Sequence, residues 1–155
     1  MIPINEVADF FILKADSASG DLMTHLKLQK LVYYAEAWHL AIYGESLVAD
    51  DFEAWAHGPV APSLFSRFTG YGFSAIPPNV VRSRIDDESA LSHLAEVWQV
   101  YGGHSAKALE QQTHSEEPWI EARGECAPLE RCTNVILKRT MREFYGRQLK
   151  DGEEE

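Results

Sequence analysis

The sequence predicts a mainly α fold: a compact single-domain helical bundle with one small β-hairpin. Three observations predict it. Apolar residues recur at three- and four-residue steps in both halves of the chain. Glycine, proline and small polar residues fall at the ends of those stretches, where helix caps belong. A two-residue alternation occurs once, at residues 52–56, where Phe52, Ala54 and Ala56 alternate with Glu53, Trp55 and His57.

In chain order, Val7, Phe10, Phe11 and Lys14 mark a first helix over residues 4–14, followed by a turn-rich break at 16–20. Thr24 is a good N-cap for a long second helix reaching Tyr43, with Leu28, Leu31, Val32, Ala35, His39 and Ile42 on its apolar stripe. Lys27, Lys30 and Glu36 fall off that stripe, and Gly44 is placed to end the helix with positive φ. The hairpin is expected from strands at 45–48 and 52–56 around Ala49, Asp50 and Asp51, closed by Gly58 and Pro59. Pro62 fits the first turn of a helix over 63–68, and the double proline in 73–79 enforces an extended connection.

The second half is helical again. Leu91, Leu94, Ala95 and Trp98, with Val97 less well placed, mark a helix over 86–101; Asp87 and Glu88 suit its N-terminus. Ser105 caps a helix over 106–113, and Pro118 starts another over 118–123, with Trp119 pinning that corner to the core. A last helix spans 133–148, with Val135, Ile136, Met141 and Phe144 facing inward. No internal repeat or low-complexity linker divides the chain. Residues 1–150 form the expected domain and 151–155 an acidic disordered tail.

At 155 residues and 45% apolar content the chain can bury a core without disulfides or metal. No apolar run approaches the roughly 20 residues that cross a bilayer. The N-terminus lacks the basic segment of a signal peptide. Cys126 and Cys132 suit a reducing compartment, so a cytoplasmic location is expected, without membrane association. The net charge of −10 argues against nucleic acid as a partner and favours a basic one. Lys138, Arg139, Arg142, Arg147 and Lys150 are the richest basic cluster, interleaved with Glu143 and Asp151, and read as a solvated helix face.

Phosphate-loop, HExxH, CxxC and GxSxG signatures are all missing. The six histidines show no i, i+4 pair, so neither metal nor cofactor is expected. His39 reads as a core histidine hydrogen-bonded through one nitrogen. Two segments are richer than packing requires. One places Trp55 and His57 on one strand face beside Gly58 and Pro59, as an aromatic anchor on a rigid turn. The other is His114-Ser115-Glu116-Glu117-Pro118-Trp119, a helix exit and re-entry.

The runs Leu28-Gln29-Lys30-Leu31-Val32-Tyr33-Tyr34-Ala35-Glu36-Ala37-Trp38-His39-Leu40 and 52–64, followed by Tyr101-Gly102, Leu109 and 113–119, resemble the Panacea domain. This is the SocA-like antitoxin domain, found also in phage-associated proteins. The resemblance covers residues 4–123. It implies a helical domain that neutralises a protein toxin encoded by a neighbouring gene, with adaptor behaviour toward an AAA+ protease as a second mode. Lys30, Tyr33, Tyr34, His39, Trp55, His57, Gly58, Pro59, His114 and Trp119 are carried over as motif scaffold or partner-binding surface, with no catalytic role. The competing class is a small hydrolase or metal-dependent enzyme built from His57, His114 and nearby carboxylates.

Overall fold

The computed structural model describes residues 1–19, 22–78 and 81–154. Seven α-helices dominate these residues: α1 (Ile4–Ser19), α2 (His25–Tyr43), α3 (Pro62–Phe68), α4 (Glu88–Tyr101), α5 (Ala106–His114), α6 (Glu117–Arg123) and α7 (Lys138–Glu154). Four short strands, β1 (Met23–Thr24), β2 (Glu53–Trp55), β3 (Gly58–Val60) and β4 (Ala75–Ile76), pair antiparallel as β1–β4 and β2–β3. The mainly α bundle with its small hairpin is therefore observed.

Helix α2 is the axis of the molecule, packed against α1, α3, α4, α5, α7 and the hairpin. Its ends are set locally. The Thr24 hydroxyl accepts from Lys27 N–H, and Gly44 takes φ 74° while its N–H returns to the Leu40 carbonyl. Ser105 and Asp87 cap α5 and α4 in the same way, accepting from Ala108 and Ala90 N–H. Phe11, Leu28, Leu31, Val32, Phe52, Leu64, Leu94, Leu109, Ile136 and Met141 meet around α2 in one core. No helix among the described residues is long and apolar enough to cross a membrane.

Several elements depart from the sequence expectation. Helix α1 continues through Ser19 rather than breaking at Asp16; Gly20, the end of the expected break, lies outside the described residues. Asn79, at the end of the expected extended connection, also lies outside them, as does Glu155 of the expected tail. The hairpin is displaced along the chain. The Leu47 N–H donates to Glu36 Oε1 at 2.6 Å, so this donor at 45–48 goes to a side chain instead of a strand ladder. The two strands are β2 and β3 with Ala56 and His57 at the turn, so His57 does not share a strand face with Trp55.

Helix α7 begins later than expected because residues 134–136 run along the outer edge of β2. Ala54 N–H donates to the Asn134 carbonyl at 2.8 Å and Ile136 N–H to that of Phe52 at 2.7 Å. Val135 is consequently exposed, while Ile136 is buried. In α4 the inward face is Ala90, His93, Leu94, Val97 and Tyr101, so Val97 is a core residue and Leu91 is not. On α2, His39 is only half-buried and Ile42 exposed, whereas Lys30 and Glu36 are 1% and 0% exposed. A helix surrounded on every side buries its polar residues too, provided each finds a partner.

Candidate functional site

The hairpin and the residue that follows it are held against α2 and α6 by side chains that reach the backbone. Gln29 accepts from Ala61 N–H at 2.9 Å and donates to the Ala61 carbonyl at 3.3 Å. The Trp119 indole N–H donates to the Trp55 carbonyl at 2.9 Å, and Arg123 donates to the Ala54 carbonyl at 3.2 Å. Arg123 is buried and also reaches the carbonyls of Glu130 and Ala127, which fastens the loop after α6 to the same frame. His114 stacks on Trp119 with ring centroids 4.0 Å apart and an interplanar angle of 11°.

Gly58 is the point of closest approach. Its φ of 120° disfavours any side chain, and an added Cβ would lie 3.2 Å from Thr113 Oγ1 and 3.5 Å from Lys30 Cε. Strand β3 is thus pressed between α2 and α5. Pro59 follows, buried and paired with Ala54.

Beneath this frame lies the Lys30 ammonium, donating to the Leu26 carbonyl at 3.1 Å. Burial pushes Lys30 down to about 8, with the nearby Glu110 carboxylate opposing the shift. Glu110 accepts from His57 Nδ1 at 2.8 Å, and His57 itself stands well out in solvent. Burial also holds His114 below its ordinary value. The structure therefore brings Lys30, His57, Gly58, Pro59, His114 and Trp119 together, with Trp55 on the adjoining wall.

Tyr33 and Tyr34 belong to a separate, fully enclosed centre. The Tyr34 and Tyr145 hydroxyls donate to Glu116 Oε1 at 2.7 and 2.8 Å, and the Tyr33 hydroxyl lies 3.3 Å from that of Tyr145. Tyr101 stacks on Tyr34 at 4.1 Å and accepts from the Trp38 indole at 2.7 Å. Burial pushes Tyr101 up to about 12, and raises Glu116 against the lowering effect of its hydroxyl donors. His39 sits apart from both clusters, its Nδ1 donating to the Glu45 carbonyl at 2.6 Å.

Sequence reasoning did not single out Gln29, Glu110, Glu116, Arg123 or Tyr145 as site residues. Spacing could have suggested Gln29 and Glu116, which lie inside the quoted motifs; Tyr145 and Arg123 carry no local signal. Among the described residues no three His, Cys, Asp or Glu side chains are grouped to hold a metal ion.

In front of the frame opens a groove of about 650 Å³ between the start of α2, the hairpin, α3 with the turn after it, and residues 129–132. Leu26, Trp55 and Phe65 line its walls, with Trp55 and Phe65 rings 4.8 Å apart. Phe73 and Leu129 rise from its rim, 96% and 84% exposed. Fold and site define a small helical domain that presents an apolar groove on a rigid, backbone-anchored hairpin.

The chain belongs to the family described as antitoxin SocA-like, Panacea domain, whose model matches residues 28–120. It is 36% identical over 89 residues to antitoxin SocA of Caulobacter vibrioides (strain NA1000 / CB15N), an alignment covering 57% of this chain and 44% of that protein. The chain thus spans less than half the length of this curated relative. No solved structure matches it.

Proposed function

We propose that this protein is an antitoxin-type binding module that neutralises a cognate protein toxin, encoded by a neighbouring gene, through a direct complex made in the cytoplasm. The observation that carries this reading is the groove, where Leu26, Phe65, Phe73 and Leu129 stand exposed around a hairpin fixed by side-chain-to-backbone hydrogen bonds. Such rigid, aromatic-lined surfaces concentrate binding energy. Residues 1–150 constitute the working unit, with Trp55 and His57 at the contact surface and the buried Gly58 and Pro59 fixing the turn beneath them. Lys30, Tyr33, Tyr34, His39, His114 and Trp119 support it. No catalysis and no cofactor is required, and delivery of the captured toxin to an AAA+ protease is a second mode of the same binding.

Co-expression with the neighbouring gene tests the reading. Wild-type protein restores growth and co-purifies with the gene product. Phe73→Glu and Leu129→Glu, both at exposed rim positions, abolish rescue and complex without lowering the melting temperature. Rescue that persists in the absence of any complex overturns direct sequestration.

One observation favours an enzymatic reading: the His57–Glu110 pair, 2.8 Å apart, stands at the groove edge as a general base would. His57→Gln retains a hydrogen-bond donor and removes the base. Unchanged toxin neutralisation by that variant discards the enzymatic reading.

A further inference from the structure

The groove has a charge character opposite to that of the molecule. The chain carries −10 overall, yet the ionisable side chains lining the groove are Lys30, Arg131, His25, His57 and Cys132, with no Asp or Glu among the described lining residues. The nearby carboxylates stand outside the lining and are already engaged, Glu110 accepting from His57 Nδ1 and Glu53 from the Trp55 indole N–H. Lys30 is 1% exposed at the floor of this space, and an ammonium carries three donors. Among the described residues its one hydrogen-bonded acceptor is the Leu26 carbonyl. A buried cation satisfied at one donor out of three is costly unless a further acceptor arrives.

Resting on the antitoxin reading and deepening it, we propose that the groove receives an apolar segment of the partner protein that carries an acidic side chain, whose carboxylate is held by the Lys30 ammonium. The apolar neighbours of that side chain cover Leu26, Trp55 and Phe65, and Arg131 on the exposed rim adds attraction at the entrance. The source is an internal acidic side chain and not a chain terminus: Phe73 and Leu129 stand on the rim of an open groove, so a continuous segment can lie across it. The acidic remainder of the surface steers a partner that is basic elsewhere, which gives the complex two opposed charge contacts and a fixed orientation.

The test uses the full chain and no toxin, so its failure leaves sequestration standing, just as a failed co-purification leaves the dye result standing. Anilinonaphthalene sulfonate, apolar and anionic, is titrated against neutral phenylnaphthylamine by fluorescence. The anionic dye is expected to bind at least about tenfold more tightly, the scale of one charge-assisted hydrogen bond. Lys30→Met removes that preference while leaving the neutral dye bound, and Arg131→Gln, at an exposed position, reduces it by about threefold. Should Lys30→Met fail to fold by near-UV circular dichroism, Arg131→Gln carries the comparison. The capped peptide acetyl-Leu-Glu-Phe-amide displaces the dye; acetyl-Leu-Gln-Phe-amide and its free-acid form do not. Equal affinity for the two dyes, a preference that survives both substitutions, equal displacement by the Glu and Gln peptides, or displacement by the free-acid Gln peptide overturns the proposal.

Discussion

Gln29 holds the backbone of Ala61 from both sides, accepting from its N–H at 2.9 Å and donating to its carbonyl at 3.3 Å. The Ala61 carbonyl also receives Leu64 and Phe65 N–H at the start of α3, so the N–H is the group that depends on Gln29. Gln29→Leu keeps the volume and orphans that buried donor, and with it the His25 ring nitrogen 2.9 Å from Gln29 Nε2. The expected loss is about 1–3 kcal/mol, read as a lower urea midpoint with unchanged m-value.

Gly58→Ala tests backbone conformation against space. Its φ of 120° penalises alanine by itself, and the new methyl meets Thr113 Oγ1 at 3.2 Å. The expected cost is about 1–3 kcal/mol. Because the greater part is backbone strain, adding Thr113→Ala to Gly58→Ala recovers only a minor share in thermal unfolding. Full recovery would show that the contact, not the dihedral angle, selects glycine.

Glu36 and Lys138 form the most buried ion pair among the described residues, with Nζ and Oε2 2.6 Å apart and Glu36 0% exposed. The other Glu36 oxygen accepts from Leu47 N–H, so this carboxylate ties α2, the 45–48 segment and α7 together. Lys138→Met strands a buried carboxylate and is expected to cost about 3–5 kcal/mol by chemical denaturation. Adding Glu36→Gln to it recovers part of that loss, since the amide is neutral.

Burial holds His93 below its ordinary 6.5, opposed by its hydrogen bond to the Ala35 carbonyl at 2.8 Å. The unfolded chain therefore binds a proton near that pH which the folded chain resists. Stability from this group is complete above 6.5 and is lost as pH falls toward the depressed folded value. His25, lowered by burial and then by Lys30, acts in the same direction. Denaturation midpoints measured from about pH 7 to 5 should fall for the wild type and fall less steeply for His93→Gln. Parallel curves would remove His93 from the acid response.

Helix ends and core stripes were legible because their causes are local. Thr24, Asp87 and Ser105 cap through hydrogen bonds to a residue three positions on. The C-terminal glycine of α2 adopts its angle for a reason confined to one residue. The family motifs also named Lys30, Trp55, Gly58 and Trp119, but not that they meet. The displaced hairpin shows where local reading ends: residues 45–48 have strand-like composition, but Glu36 of α2 captures the Leu47 donor.

The sequence by itself determined a helical bundle, its caps, the long central helix and the motif residues, because periodicity and capping act within a few residues along the chain. Tertiary structure decided which polar residues go inside. Lys30 and Glu36 look like solvent-facing positions on an amphipathic α2, and they are buried because five helices and a hairpin enclose that helix. It likewise decided that Glu116 meets Tyr34 and Tyr145, and that an acidic chain opens a groove lined with basic side chains. Those relationships join distant segments, and desolvation acts only once the chain has closed around them.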